Sequence, residues 1–170
     1  MSLERVWAGW RLAYVESDDT GERDEAIGSL FEQILASDEP DDRTYIVWRG
    51  ERCFAILNAF PYTNGHLMVL PYRAVGDLED LTDDEAVELW GAVGHAVRAL
   101  RVAYAPDGVN VGLNLGRAAG AGVPGHLHVH CLPRWSGDTN FMSVVAQVRV
   151  QPEALETMAE RFRESARQLR

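Results

Sequence analysis

Long apolar runs are missing from this sequence: runs such as residues 67–70 and 144–146 fall far short of the ~18–20 residues that a membrane-spanning helix requires. Cysteine is scarce as well. Cys53 and Cys131 are the only two, too few for a disulfide framework and not spaced as a CxxC pair, so a reducing cytoplasm is the expected compartment. Residues 1–15 carry Glu4, Arg5 and Arg11 among their apolar residues and do not read as a secretory signal. Positive charge is in the minority, with 16 Lys+Arg against 26 Asp+Glu and a net charge of −10. Such a chain repels phosphate backbones and anionic membranes at long range, which argues against nucleic-acid and membrane partners. An anionic ligand must therefore be held by a local, directional site. What remains is ordinary for a folded protein: 170 residues, 46% hydrophobic and 25% charged, about one domain long and large enough to bury a core without staples.

The pattern along the chain predicts an α+β fold. Residues 16–25 and 37–43 are acidic loops around a short helix with Ile27, Leu30, Phe31, Ile34 and Leu35 on one face. Residues 44–48, 53–58 and 66–70 read as strands, joined by glycine-containing connectors that favour antiparallel pairing. Thr82 with Glu85 three residues later is a capping box opening a long helix, whose stripe of Ala86, Trp90, Val93, Val97, Leu100 and Tyr104 would pack on the sheet. Residues 109–115 and 125–132 read as strands joined by a glycine-rich loop and stopped by Pro133, residues 143–150 as a sixth strand, and Pro152 as the start of a last helix. The expected architecture is a mostly antiparallel sheet of five to six strands with a long packing helix and a C-terminal helix.

The chemistry concentrates in His126-Leu127-His128-Val129-His130. On an extended chain all three imidazoles share one face, while Leu127, Val129 and Cys131 take the other. Three imidazoles in register suit two kinds of site. They chelate zinc, copper or iron, with His66 as a further ligand; or one neutral imidazole attacks an electrophile while its neighbours supply hydrogen bonds and protons. The loop just upstream, residues 116–125, is rich in glycine, which lets backbone N–H groups cradle phosphate oxygens and favours the second reading. His95 lies outside the helical stripe and reads as a surface residue; Cys131 reads as a small buried hydrophobe.

The run from His126 to Leu132 resembles the His-x-His-x-His-x-x signature of the histidine-triad superfamily of nucleotide hydrolases and transferases. Residues 58–71, with Asn58 ahead of Gly65-His66, look like the family's upstream strand pair. The tail at residues 133–141 is similar to the branch of diadenosine tetraphosphate phosphorylases and related hydrolases. The likeness spans roughly residues 28–145 of one domain over 1–170, with an N-terminal extension and a C-terminal helix beyond it.

The resemblance implies that His128 attacks the α-phosphorus of a nucleoside polyphosphate or phosphoramidate and forms a nucleotidyl-histidine intermediate. His130, His126 and His66 would stabilise the phosphate or orient the nucleophile. Asn58 would bind the ribose, Leu30, Phe31, Ile34 and Ile56 the base, although by themselves those four apolar residues read as core. Asn114 with the backbone at Ala121, Gly122 and Val123 would line the phosphate site. Many relatives carry a CxxC pair for structural zinc at the small N-terminal helix. Here Gly28-Ser29-Leu30-Phe31 stands in that place, so no zinc of that kind, and no cofactor, is expected. Where relatives often have Gln or Ser before the triad, Gly122 and Val123 leave backbone N–H groups as the donors. Alternatives of phosphate-dependent cleavage, a metalloprotein or a non-catalytic nucleotide-binding module stay open, and a homodimer is expected from the family.

Overall fold

Side chains alternate along a strand, and in this chain the alternation separates the chemistry from the core. The computed structural model describes residues 28–138 and 153–168. Its strands β1 (Ile46–Arg49), β2 (Cys53–Leu57), β3 (Leu67–Pro71), β4 (Gly108–Leu113) and β5 (Val129–Arg134) form an antiparallel sheet in the order β1-β2-β3-β5-β4. On one face Cys53, Ala55, Leu57, Leu67, Val69, Val129 and Cys131 meet the helices. The opposite face carries Phe54, Ile56, Met68 and Leu70, in register with His130, which pairs Met68 across β3. Every histidine of the triad thus belongs to the face that the long helix does not cover.

Among the described residues four α-helices surround the sheet: α1 (Leu30–Ala36), α2 (Asp41–Thr44), α3 (Asp83–Tyr104) and α4 (Leu155–Gln168). The expected capping box opens α3, with Thr82 Oγ1 accepting the Glu85 N–H and Glu85 Oε2 accepting the Thr82 N–H at 2.9 Å. The same carboxylate pairs with Arg73 at 2.7 Å, and that hydrogen bond leads in lowering its pKa to about 2. The core face of α3 is Leu89, Ala92, Val93, Ala96 and Leu100, while Trp90 is 50% exposed. The expected stripe is therefore rotated at its start, because two sets of positions share the 3–4 spacing. The set with Ala92 and Ala96 wins by letting the helix lie closer to the sheet. From α4, Met158, Ala159 and Phe162 complete this core. No described helix is long and apolar enough to cross a membrane.

Three boundaries differ from expectation. Thr44 ends the one-turn helix α2, and β1 starts at Ile46 after Tyr45 turns the chain in a left-handed conformation, φ 60°. Pro133 does not stop β5 but pairs with Val109 inside it. Beyond Cys131 the strand has only β4 as a neighbour, so the missing N–H can face the open side. His126 and His128 precede β5 on an extended segment that the Leu127 N–H ties to the Val75 carbonyl at 2.6 Å. The expected sixth strand at 143–150 lies outside the described residues.

Candidate active site

Hydrogen-bond partners that can only donate or only accept fix the protonation of each ring. The backbone N–H of Tyr62 donates to His66 Nδ1 at 3.1 Å, so in the neutral ring the proton sits on Nε2. That atom lies 2.9 Å from His130 Nδ1, which must accept, leaving the His130 proton on its own Nε2. His128 Nδ1 lies 2.9 Å from the carbonyl oxygen of His126, so in the neutral ring Nδ1 carries the proton and Nε2 keeps a lone pair. His126 Nε2 donates to the Pro71 carbonyl at 2.8 Å, and its Nδ1 accepts from the Ser29 hydroxyl at 2.6 Å.

All four rings are buried, and burial favours the neutral form of His66, His126 and His130. Desolvation leads in pushing His66 down to about 3, with the positive fields of His130 and His128 adding to it. Desolvation and His128 push His130 down to about 4, and desolvation lowers His126 too. By its hydrogen bonds the arrangement can offer one unprotonated nitrogen, Nε2 of a neutral His128 ring, in the same cluster as one N–H donor, on His130.

The four histidines are not equivalent. His66, His130 and His128 form a continuous cluster, with ring centroids 5.0 and 4.8 Å apart along it. The His126 ring instead packs edge-on against Phe31 at 5.2 Å and has both nitrogens engaged elsewhere. It meets His128 through its main-chain carbonyl, so the expectation that its imidazole could share a phosphate is corrected. The donor set does not fit the chelating alternative either, because His66 and His130 direct nitrogens at each other and His126 directs both of its own away. Among the described residues no group of three His, Cys, Asp or Glu could hold a metal ion.

Of the expected base wall, Phe31, Ile56 and Ile34 come together with Val123 in the apolar cluster on the histidine face; Leu30 does not join it. Phe31 also tilts against His128 at 5.9 Å. Asn58 is buried, its Oδ1 accepting the Phe60 N–H at 2.9 Å and its Nδ2 lying 3.3 Å from His66 Nδ1. Asn114 Nδ2 donates to the Gly120 carbonyl at 3.4 Å and so braces the glycine loop. Ala121 is a correction: it is buried, and its N–H is bonded to the Gly116 carbonyl. Among the described residues no backbone bond engages the N–H groups of Gly122 and Val123.

A HIT domain model matches residues 39–137, well over half of the chain. The chain belongs to the HIT family. This HIT protein is 40% identical over 154 residues to the AP-4-A phosphorylase of Mycobacterium tuberculosis, spanning 90% of its own length and 79% of that relative. It is 34% identical over 93 residues to the asymmetrical bis(5'-nucleosyl)-tetraphosphatase of Schizosaccharomyces pombe, covering 55% of this chain and 50% of that one. The crystal structure of a zinc-bound histidine triad family protein from Mycobacterium smegmatis superposes with a TM-score of 0.67 at 31% identity, covering 85% of this chain and 96% of that one. In this HIT protein the stretch that would supply a CxxC pair offers the side-chain-free Gly28 and the hydroxyl of Ser29, which caps α1 and bonds His126. That donor set does not fit structural zinc.

Two residues of the site escaped the sequence reading. Tyr62 fixes the His66 tautomer through its backbone, a role with no signature in residue type. Ser29 is legible as a helix cap from the Ser29-x-x-Glu32 spacing, but its contact to a histidine 97 positions away is not.

Proposed function

We propose that this HIT protein cleaves dinucleoside polyphosphates by nucleotidyl transfer to His128, with inorganic phosphate as the acceptor. The carrying observation is that the His126 carbonyl leaves the lone pair of a neutral His128 on Nε2, while the chain from Tyr62 through His66 leaves the neighbouring His130 an outward N–H. In the first step a P–N bond forms between His128 Nε2 and the α-phosphorus, and the bond to the bridging oxygen breaks. With diadenosine tetraphosphate, ATP departs and an adenylyl group stays on the ring. The positive charge that develops on this ring is stabilised through Nδ1–H by the His126 carbonyl. His130 Nε2–H donates to the phosphoryl oxygens, and the N–H groups of Gly122 and Val123 hold the phosphate chain. In the second step a phosphate oxygen attacks phosphorus, the P–N bond breaks and ADP leaves, so that ATP plus ADP balance the dinucleotide plus phosphate.

Phe31, Ile34, Ile56 and Val123 supply an apolar wall for the base. Asn58, with a second amide hydrogen beyond the one facing His66, reaches a ribose oxygen. Likeness to the mycobacterial AP-4-A phosphorylase over 90% of the chain supports phosphate over water as acceptor. Hydrolysis is the second reading, and likeness to the bis(5'-nucleosyl)-tetraphosphatase over part of the chain favours it. The setting is a reducing cytoplasm, in keeping with two buried free thiols. The protein acts as a homodimer, to which the exposed face of α3 with Val87, Trp90 and Gly91 and the solvent-facing strand β4 lend support. A product-resolved assay on diadenosine tetraphosphate with and without inorganic phosphate tests the reading. ATP plus ADP, formed only with phosphate, are expected; ATP plus AMP in both arms would establish hydrolysis, and no cleavage at all would reject both.

A further inference from the structure

One hydroxyl ties the helix of the base wall to the residue that orients the nucleophile. Ser29 is the N-cap of α1, and its Oγ accepts the Glu32 N–H at 3.2 Å. Its own hydroxyl proton goes to His126 Nδ1 at 2.6 Å, because His126 Nε2 already donates to the Pro71 carbonyl. The same residue, through its main-chain oxygen, accepts the Nδ1–H of His128. His126 therefore joins α1 on its side chain and the nucleophile on its backbone.

Three further contacts set how α1 sits. Glu32 Oε2 accepts the Ser29 N–H at 2.9 Å, and Glu32 Oε1 accepts the Ala74 N–H at 3.1 Å, just beyond β3. Gly28, at φ +78°, leaves room for that carboxylate, since a Cβ there would come within 2.6 Å of Glu32 Oε2. Phe31, two residues after the cap, then meets both His126 and His128. A helix of seven residues has little stability of its own, so its placement depends on such ties.

We propose that Ser29 is a positioning residue: its hydroxyl holds α1, and with it the Phe31 wall, in register with His128, so that it governs nucleotide binding rather than the bond-making step. The proposal rests on the nucleotide reading given above. Ser29→Gly is the informative variant, because glycine still serves as an N-cap at a cost of a few tenths of a kcal/mol while the hydroxyl is gone.

The test titrates AMP by calorimetry into the parent, Ser29→Gly and Ser29→Thr proteins, alongside steady-state turnover of diadenosine tetraphosphate. In Ser29→Gly, AMP affinity and KM are expected to worsen together by about tenfold, the loss of one hydrogen bond to a buried ring, with kcat within about twofold. Ser29→Thr, which keeps a hydroxyl, restores both. Equal AMP affinity in parent and Ser29→Gly overturns the proposal while leaving the nucleotide reading intact. So does a fall in kcat at constant KM, which would place the hydroxyl in the chemical step. Should Ser29→Gly not fold, Ser29→Ala and Ser29→Thr carry the same comparison. Failure of the parent itself to bind AMP or cleave the dinucleotide overturns the nucleotide reading and this proposal with it.

Discussion

His66 and His130 share one proton line: the Nε2–H of the first points at the Nδ1 of the second across 2.9 Å, 64 positions apart in the chain. The line starts at a backbone N–H, that of Tyr62, which cannot titrate or flip. Because its origin is fixed, the outward N–H of a neutral His130 is fixed too, and under the proposed mechanism that donor would need no reorganisation when the reaction begins.

Replacing His128 by Asn removes the nucleophile while keeping a polar side chain. Turnover of diadenosine tetraphosphate should fall by at least about a thousandfold, as removal of a covalent nucleophile does elsewhere. Incubation with labelled substrate, quenched in alkaline denaturant because a P–N bond hydrolyses in acid, should leave adenylyl label on the parent, if the group is trapped before phosphate is added, and none on the variant. Parent-like turnover in His128→Asn would exclude the nucleotidyl-histidine route.

His66→Ala should release His130 from its partner. Without the donated proton, His130 Nδ1 can carry the hydrogen itself, and the orienting of its outer N–H is lost. A decrease in kcat of roughly 10–100-fold is expected, typical for one positioned acid–base or hydrogen-bonding group. Removing the ring also admits water and so relieves the desolvation that leads in lowering His130, whose pKa should rise from about 4 towards the ordinary ~6.5. Nitrogen-15 NMR of the imidazoles checks both points, and an unchanged His130 tautomer and pKa would contradict the proton line.

Stability should fall with acid well before the carboxylates titrate. His66 and His130 have folded-state values of about 3 and about 4, below the ~6.5 of an unfolded chain. Between those limits the unfolded state binds more protons than the folded one, so stability rises with pH. The contribution is complete above about pH 6.5 and is lost progressively as pH falls towards the folded values. Urea melts at pH 7.5 and pH 5 should show a lower midpoint at pH 5, and a His66→Gln, His130→Gln double variant should flatten the difference.

Thr82→Ala should cost about 1 kcal/mol, the usual worth of an N-cap, because the Glu85 N–H loses its acceptor. Thr82 begins the long helix on the face of the sheet away from the histidines, so activity per folded molecule should match the parent. A denaturant melt and a kcat measurement separate the two effects.

Much of this protein was legible in its residue order because the signals are local. Alternation on an extended chain put the three histidines on one face and Leu127, Val129 and Cys131 on the other; the Thr82-x-x-Glu85 spacing marked the start of α3; glycines marked the loop before the triad. Each depends on neighbours within a few positions, which backbone geometry alone arranges. Where two local patterns were equally good, sequence could not choose: Trp90 and Leu89 both fit a helical stripe, and packing on the sheet selected Leu89. Pro133, locally a strand breaker, was tolerated because β5 has one neighbour there. The division of labour among the histidines was decided by tertiary structure. It took Ser29 and Pro71 to turn the His126 ring away, Tyr62 to fix His66 and through it His130, and the His126 carbonyl to leave the lone pair of a neutral His128 on Nε2. Identical imidazoles become a nucleophile, a donor or a brace according to which distant donor or acceptor meets each nitrogen, and only the folded chain brings those partners within hydrogen-bond distance.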